Sequence, residues 1–212
     1  QTLNGFEQTL VIDLLYEYLL ITEPREIYFY YLGEKTNSDQ ALKLLDKYKK
    51  ELATRLEKSK FVQSKIECVK GHLMELNGVN EVSTKHFKDA IILDPKNDWA
   101  WYKIGKYNKD KSSHYANKEK YLVRAIECYS HAIKISPYEG IYYFFRAEAL
   151  LKMGMENEAL FDFVESLNYG YVSHKVYDHI IDICISMKDY NKSIQYLYES
   201  ISYSNRDKDK FK

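Results

Sequence analysis

The chain has 212 residues, and 31 Lys and Arg balance 31 Asp and Glu, so its formal net charge is zero. This balance argues against nucleic-acid binding, which needs a surplus of positive charge on one face. Three prolines and eight glycines interrupt the chain rarely, as is typical of an all-helical protein. The three cysteines are widely separated and odd in number, which favours buried thiols in a cytoplasmic or nuclear protein.

Residues 1–63 are predicted to form an N-terminal helical cap. Apolar residues recur at helical spacing in residues 6–21, but this stretch carries Asp13 and Glu17 and is too short to span a bilayer. Pro24 opens a second short helix, and a polar turn then precedes a long amphipathic helix. Because a terminal repeat needs a cover over its apolar face, we interpret this segment as that cover.

A repeat with a period of 34 residues occupies most of the remaining chain. Small residues at Ala125, Ala159 and Ser193 follow one another at this interval, and each is followed by a second small residue seven positions later. Small residues at i and i+7 lie on one helix face, where a neighbouring helix can approach closely. The period predicts four helix–turn–helix repeats, at 64–97, 98–139, 140–173 and 174–207, with a tail at 208–212.

The second repeat is longer than the others, and the extra residues fall near 108–120. This polar, lysine-rich stretch either lengthens the loop between the two helices or extends the second helix. A tolerated surface insertion is one interpretation, and a projecting contact element is the other.

The repeats resemble the tetratricopeptide repeat (TPR) family. The motif is carried by residues 101–105 (WYKIG), with an aromatic residue four positions before a glycine, and by residues 125–137, with Ala125, Ala132 and a closing Pro137. The resemblance implies an all-α fold, a right-handed superhelical solenoid of helix–turn–helix repeats. It also implies a non-catalytic scaffold or adaptor whose partner is another protein, either a peptide segment or a subunit of a complex.

In this family the first helix of each repeat lines the concave groove. The matching positions give these candidates for a peptide groove: Lys65, His72, Trp99, Tyr102, Lys106, Lys109, Phe144, Glu148, Lys175, Asp178 and Asp182. The set runs from basic through aromatic to acidic, which predicts a peptide with an acidic end, an apolar anchor and a basic end. The alternative is that these residues are solvated faces and contacts between repeats. Nearly all the positions at which family members hold chaperone C-terminal tails carry different residues here, which disfavours such a tail.

No catalytic pattern is evident. His174 and His179 are five residues apart, which is not the i, i+4 spacing of a helical zinc site. Cys128 and His131 share a helix face, but no third group completes a catalytic arrangement. We therefore expect no enzymatic activity, no cofactor and no metal site. The alternative function is a targeting or regulatory module of a larger enzyme, such as a prolyl isomerase, phosphatase or transferase, whose catalytic domain lies outside this chain.

The fourth repeat is followed by a short polar tail. No further amphipathic helix follows to cover Ile194, Leu197 and Ile201. An uncovered strip of this kind predicts an interface or a continuing chain at this end.

Overall fold

A computed structural model describes residues 60–113 and 117–209 of the chain. The cap predicted for residues 1–63 lies almost entirely outside these residues. Every regular element in the two described ranges is an α-helix. The helices are α1 Lys60–Leu76, α2 Asn80–Leu93, α3 Asp98–Lys111, α4 Lys118–Ile135, α5 Gly140–Lys152, α6 Glu156–Asn168, α7 His174–Ser186 and α8 Tyr190–Asp209.

The chain separates into two compact units, residues 1–107 and 108–212. In the first unit, α1 and α2 pack against each other and bury Leu73 and Phe87. Asn97 precedes α3, and its side-chain oxygen accepts the backbone N–H of Ala100 at 3.0 Å, as an N-cap residue does. The amide nitrogen of Asn97 donates to Ser64 Oγ at 2.8 Å, so the start of α3 is joined directly to α1.

In the second unit, helices α5, α6 and α7 share one hydrophobic core. Phe144, Phe163 and Ile180 are among its fully or almost fully buried members. Most small residues of the 34-residue period are also buried, as Ala159 and Ser166 on α6 illustrate, whereas Ser200 on α8 is partly exposed. Small side chains at these positions allow the helix axes to approach closely, which explains why the period is visible in the sequence.

The extra length of the second predicted repeat lies partly in α4. This helix has 18 residues, whereas α6 has 13. Residues 114–116, in the middle of the predicted insertion, lie outside the described residues. The division into four repeats and the role of the insertion stay predictions.

The length and composition of the helices bear on membrane crossing. Across the described ranges, no helix combines the length and the apolar character that a bilayer span requires.

Candidate functional site

A carboxylate cluster centred on Glu75 lies in the first unit, between α1 and α3. Lys103 Nζ donates to Glu75 Oε2 at 2.6 Å, and Lys106 Nζ donates to Glu75 Oε1 at 2.9 Å. His72 Nδ1 lies 3.1 Å from the same Oε2 and 3.0 Å from Lys103 Nζ. The carboxylate of Glu75 is thus surrounded by two ammonium groups and one imidazole.

The electrostatics of this cluster follow from burial and pairing together. Burial alone would raise the pKa of Glu75, but a hydrogen bond from His72 and the charge of Lys103 hold it well below its ordinary value. Burial lowers the pKa of Lys103, and Glu75 opposes that shift. Burial likewise lowers the pKa of His72, which favours its neutral form.

The two predicted aromatic anchors of the first unit are largely buried. Trp99 is 9% exposed and Tyr102 is 5% exposed, and their ring centroids are 5.0 Å apart. Lys103 Nζ lies 4.9 Å from the centre of the Trp99 ring, within the range of a cation–π contact. The Nζ of Lys65 lies 4.5 Å from the centre of the Phe61 ring. The side chains of Trp99 and Tyr102 on α3 are therefore mainly part of the buried core.

A second carboxylate cluster, centred on Glu148 of α5, lies in the second unit. Lys109 donates to one oxygen of Glu148 and Lys175 to the other. His179 Nε2 lies 3.9 Å from Glu148 Oε1. Although burial would raise the pKa of Glu148, the nearby imidazole of His179 and the hydrogen bonds from Lys109 and Lys175 hold it well below its ordinary value.

Aromatic rings line this second cluster. Phe144 is almost fully buried, with its ring centroid 5.0 Å from that of Tyr171. Lys109 Nζ lies 4.4 Å from the centre of the Phe145 ring, and burial lowers the pKa of Lys109 while Glu148 opposes the shift. Lys175 Nζ lies 5.3 Å from the Phe144 ring. The predicted anchor Phe144 is a core residue covered by a lysine.

The structure thus gathers most of the predicted groove residues into two groups. His72, Trp99, Tyr102 and Lys106 surround Glu75 in the first unit. Lys109, Phe144 and Lys175 surround Glu148 in the second.

Two further candidates, Asp178 and Asp182, are exposed on α7. Of the three lysines in the predicted basic part of the groove, Lys65, Lys106 and Lys109, the last two each contact a glutamate. The peptide groove itself stays a prediction.

Sequence reasoning did not include Lys103 or His179 among the groove candidates. Lys103 lies one turn from Trp99 on α3, so its position on the same helix face could have been recognised. The pairing of His179 with Glu148 depends on the packing of α7 against α5, and no local pattern signals it.

The predicted C-terminal strip lies on one face of α8. Ile194, Leu197 and Ile201 are 51%, 49% and 49% exposed, and Tyr198 beside them is 69% exposed. These positions follow the i, i+3, i+4, i+7 spacing of a single apolar stripe. We call these four residues the α8 strip.

The other face of α8 packs on α7. Ser193 is buried, and Tyr196 packs partly buried against the core cluster of the second unit. Tyr203 Oη donates to the carbonyl of Val172 at 3.2 Å, and the Tyr203 ring lies 5.3 Å from that of His174. The helix is therefore anchored to α7 while the α8 strip is exposed.

The packed helix pairs α1–α2, α5–α6 and α7–α8, together with buried small residues at a 34-residue period, are features of tetratricopeptide-repeat solenoids. No family model matches the sequence, and no curated protein matches it either.

Three solved structures illustrate the likeness. MamA from Desulfovibrio magneticus RS-1 superimposes with a TM-score of 0.63 at 13% identity, covering 86% of this chain and 94% of that chain. The thermophilic TPR protein TTC0263 from Thermus thermophilus gives 0.60 at 13%, covering 86% and 90%. PilF from Pseudomonas aeruginosa gives 0.64 at 15%, covering 92% and 75%. The resemblance to TPR proteins and the all-α solenoid fold class are confirmed. At these identities the likeness shows the fold alone.

Proposed function

We propose that the protein is a non-catalytic scaffold of the cytoplasm that binds another protein through the α8 strip. The TPR fold supports a protein-interaction role in general. The single observation that carries the choice of surface is the exposed apolar stripe of Ile194, Leu197, Tyr198 and Ile201. The occupant that fits such a stripe is an amphipathic helix of a partner, laid along α8 with its own apolar face inward.

The energetics favour this surface. Each of the four side chains is about half exposed or more, and burying the remaining apolar area contributes about 1 kcal/mol per side chain. A contiguous group of large apolar side chains that includes a tyrosine is typical of the centre of a protein interface. The charged groups of the inner helices, by contrast, already contact one another around Glu75 and Glu148.

The experiment is affinity purification of the full chain from its native cells, with matched variants. We expect Leu197→Glu to lose the partner that copurifies with the wild type, because a carboxylate would have to be buried in the interface. Ile92→Glu is the control, since Ile92 is also an exposed apolar residue but lies on α2. A partner that Leu197→Glu retains, or that both variants lose equally, would contradict the proposal. So would a wild-type chain that copurifies with no protein.

The identity of a captured partner bears on the alternative function. A stoichiometric enzyme that is lost with Leu197→Glu would indicate a regulatory or targeting module. A second copy of this chain would appear as self-association that depends on concentration in light scattering. In both outcomes the α8 strip is still the interface, and only the identity of the protein bound to it differs.

A second candidate surface is the predicted groove on the inner helices. Lys175 favours it, because its side chain is 62% exposed although it also contacts Glu148. A peptide carboxylate would compete for this ammonium group. The test is peptide binding by Lys175→Gln, with Lys192→Gln on α8 as the control. Tyr102 is unsuitable for such a test because it is buried, so that Tyr102→Ala would change stability together with binding.

A further inference from the structure

The α1–α2 pair carries a cluster of three metal-ligating side chains that the proposed scaffold function does not use. We propose that Glu67, His86 and Asp89 bind a divalent transition-metal ion of the zinc type. Their ligand atoms, two carboxylate oxygens and one imidazole nitrogen, all lie within 4.8 Å of one another. His86 Nδ1 and Glu67 Oε2 are already 2.7 Å apart. A metal ion between these atoms requires only small movements of the side chains.

The backbone that carries the three ligands is held firmly. Gly71 lies one turn after Glu67, and a Cβ added there would be 2.9 Å from the Phe87 ring. The two helices therefore pack in close contact, and this contact fixes Glu67 opposite the following helix. His86 and Asp89 are three residues apart on α2 and face Glu67 together. Ligands on two packed helices are positioned more rigidly than ligands on a loop.

The set of donor atoms favours zinc over magnesium. One imidazole and two carboxylates supply three ligands, and a water molecule can take the fourth position of a tetrahedral site. Imidazole nitrogen suits zinc and related transition metals, whereas magnesium prefers oxygen ligands in an octahedral arrangement. A cavity of about 330 Å³, lined by Glu67, Asp89 and Ile92 among others, provides the open side.

One positive charge is also close to the site. Lys70 Nζ lies 4.0 Å from Glu67 Oε1, the oxygen that does not face His86. The negative charges of Glu67 and Asp89 attract a cation placed between them more strongly than Lys70 repels it. The half-buried position of all three ligands excludes part of the bulk water while leaving the site accessible.

Cysteine thiolates among the described residues do not compete with this site for zinc. Cys68, Cys128 and Cys184 are all buried. Burial raises the pKa of the Cys128 thiol to about 11 and raises those of Cys68 and Cys184 as well, so the thiolate form is disfavoured at neutral pH. Zinc that the chain binds near pH 7 should therefore be held by nitrogen and oxygen ligands.

The experiment is calorimetric titration of the full chain with zinc chloride and, separately, with magnesium chloride. We expect one zinc site per chain with a micromolar dissociation constant, and no comparable heat with magnesium. His86→Gln and Asp89→Asn should each weaken zinc binding by roughly tenfold or more, a loss in the range known for impaired zinc sites. His131→Gln on α4, an exposed histidine outside the cluster, is the control and should bind as the wild type does.

Circular dichroism of each variant establishes that it is folded before titration. Because zinc binds the folded state, it should also raise the melting temperature of the wild type and of His131→Gln, but not of His86→Gln. Zinc binding that His86→Gln and Asp89→Asn leave unchanged would overturn the proposal. Equal affinity for magnesium, or no zinc binding at millimolar concentration, would overturn it as well.

Discussion

At the scale of single residues, a buried ion pair joins three helices of the second unit. Arg146 on α5 donates to both carboxylate oxygens of Asp162 on α6, from Nε at 2.6 Å and from Nη2 at 2.8 Å. Its third nitrogen donates to Ser130 Oγ on α4 at 3.1 Å. Asp162 is only 1% exposed. A bidentate pair of this kind fixes the relative positions of the helices as well as satisfying both charges.

We expect Asp162→Ala to lower the free energy of unfolding by about 3–5 kcal/mol, because it leaves the Arg146 guanidinium partly buried without its carboxylate. Urea denaturation measures the effect. Asp178→Ala is the matched control, since Asp178 is exposed on α7 and its loss should cost less than about 0.5 kcal/mol. A loss below about 1 kcal/mol for Asp162→Ala would mean that water replaces the ion pair without penalty.

At the scale of elements, the turns between paired helices show how far the sequence predicts the structure. Gly154 ends the turn after α5 with φ of 79°, and Lys188 occupies the corresponding position after α7 with φ of 59°. The two residues are one period of 34 apart, so the repeat pattern locates both turns. It does not reveal that Lys188 adopts the left-handed conformation, because a residue with a Cβ rarely takes positive φ.

The same limit applies to the contacts of Glu148. Its helix, α5, is predictable from apolar spacing, but its partners Lys109 and Lys175 are 39 and 27 residues away in the sequence. Periodicity indicates which face of a helix is buried. It does not indicate which charged groups meet across that face, since this depends on the rotation and translation of each packed helix.

Lys188→Gly should raise the free energy of unfolding by about 0.5–1 kcal/mol. Glycine adopts positive φ without the steric cost that a Cβ incurs, and this gain exceeds the added entropy of the unfolded chain. Thermal and urea denaturation measure the change. Lys188→Ala is the control, because it removes the side chain while keeping the Cβ and should leave stability nearly unchanged. Equal stabilisation by both variants would assign the effect to the lysine charge rather than to the backbone.

At the scale of the whole molecule, the described part of each compact unit has a carboxylate that two lysines contact, Glu75 in the first unit and Glu148 in the second. Both carboxylates join the first helices of successive predicted repeats, α1 to α3 and α5 to α7. Ion pairs at these positions stabilise the stacking of helices and reduce the free charge of the predicted groove. They also make the stability of both units depend on pH.

The direction of that dependence follows from the lowered pKa values of Glu75 and Glu148. In the unfolded chain each glutamate takes up a proton near its ordinary pKa of 4.5, whereas in the folded chain it remains ionised to lower pH. The stabilisation is therefore fully present above the unfolded pKa and is lost as pH falls below it towards the folded pKa. Burial also lowers the pKa of His72, so this imidazole adds to the loss of stability of the first unit as pH falls.

We expect Glu148→Gln to be less stable than the wild type at pH 7, because the amide cannot balance Lys109 and Lys175. Its stability should then change less steeply than that of the wild type below about pH 4.5, since one titrating group has been removed. Urea denaturation between pH 3 and pH 7 gives both quantities. Glu158→Gln, an exposed substitution on the neighbouring α6, is the matched control and should follow the wild-type profile. Identical pH profiles for the two variants would show that Glu148 titrates alike in the folded and unfolded chain, which would contradict the role of Lys109, Lys175 and His179 in holding it ionised.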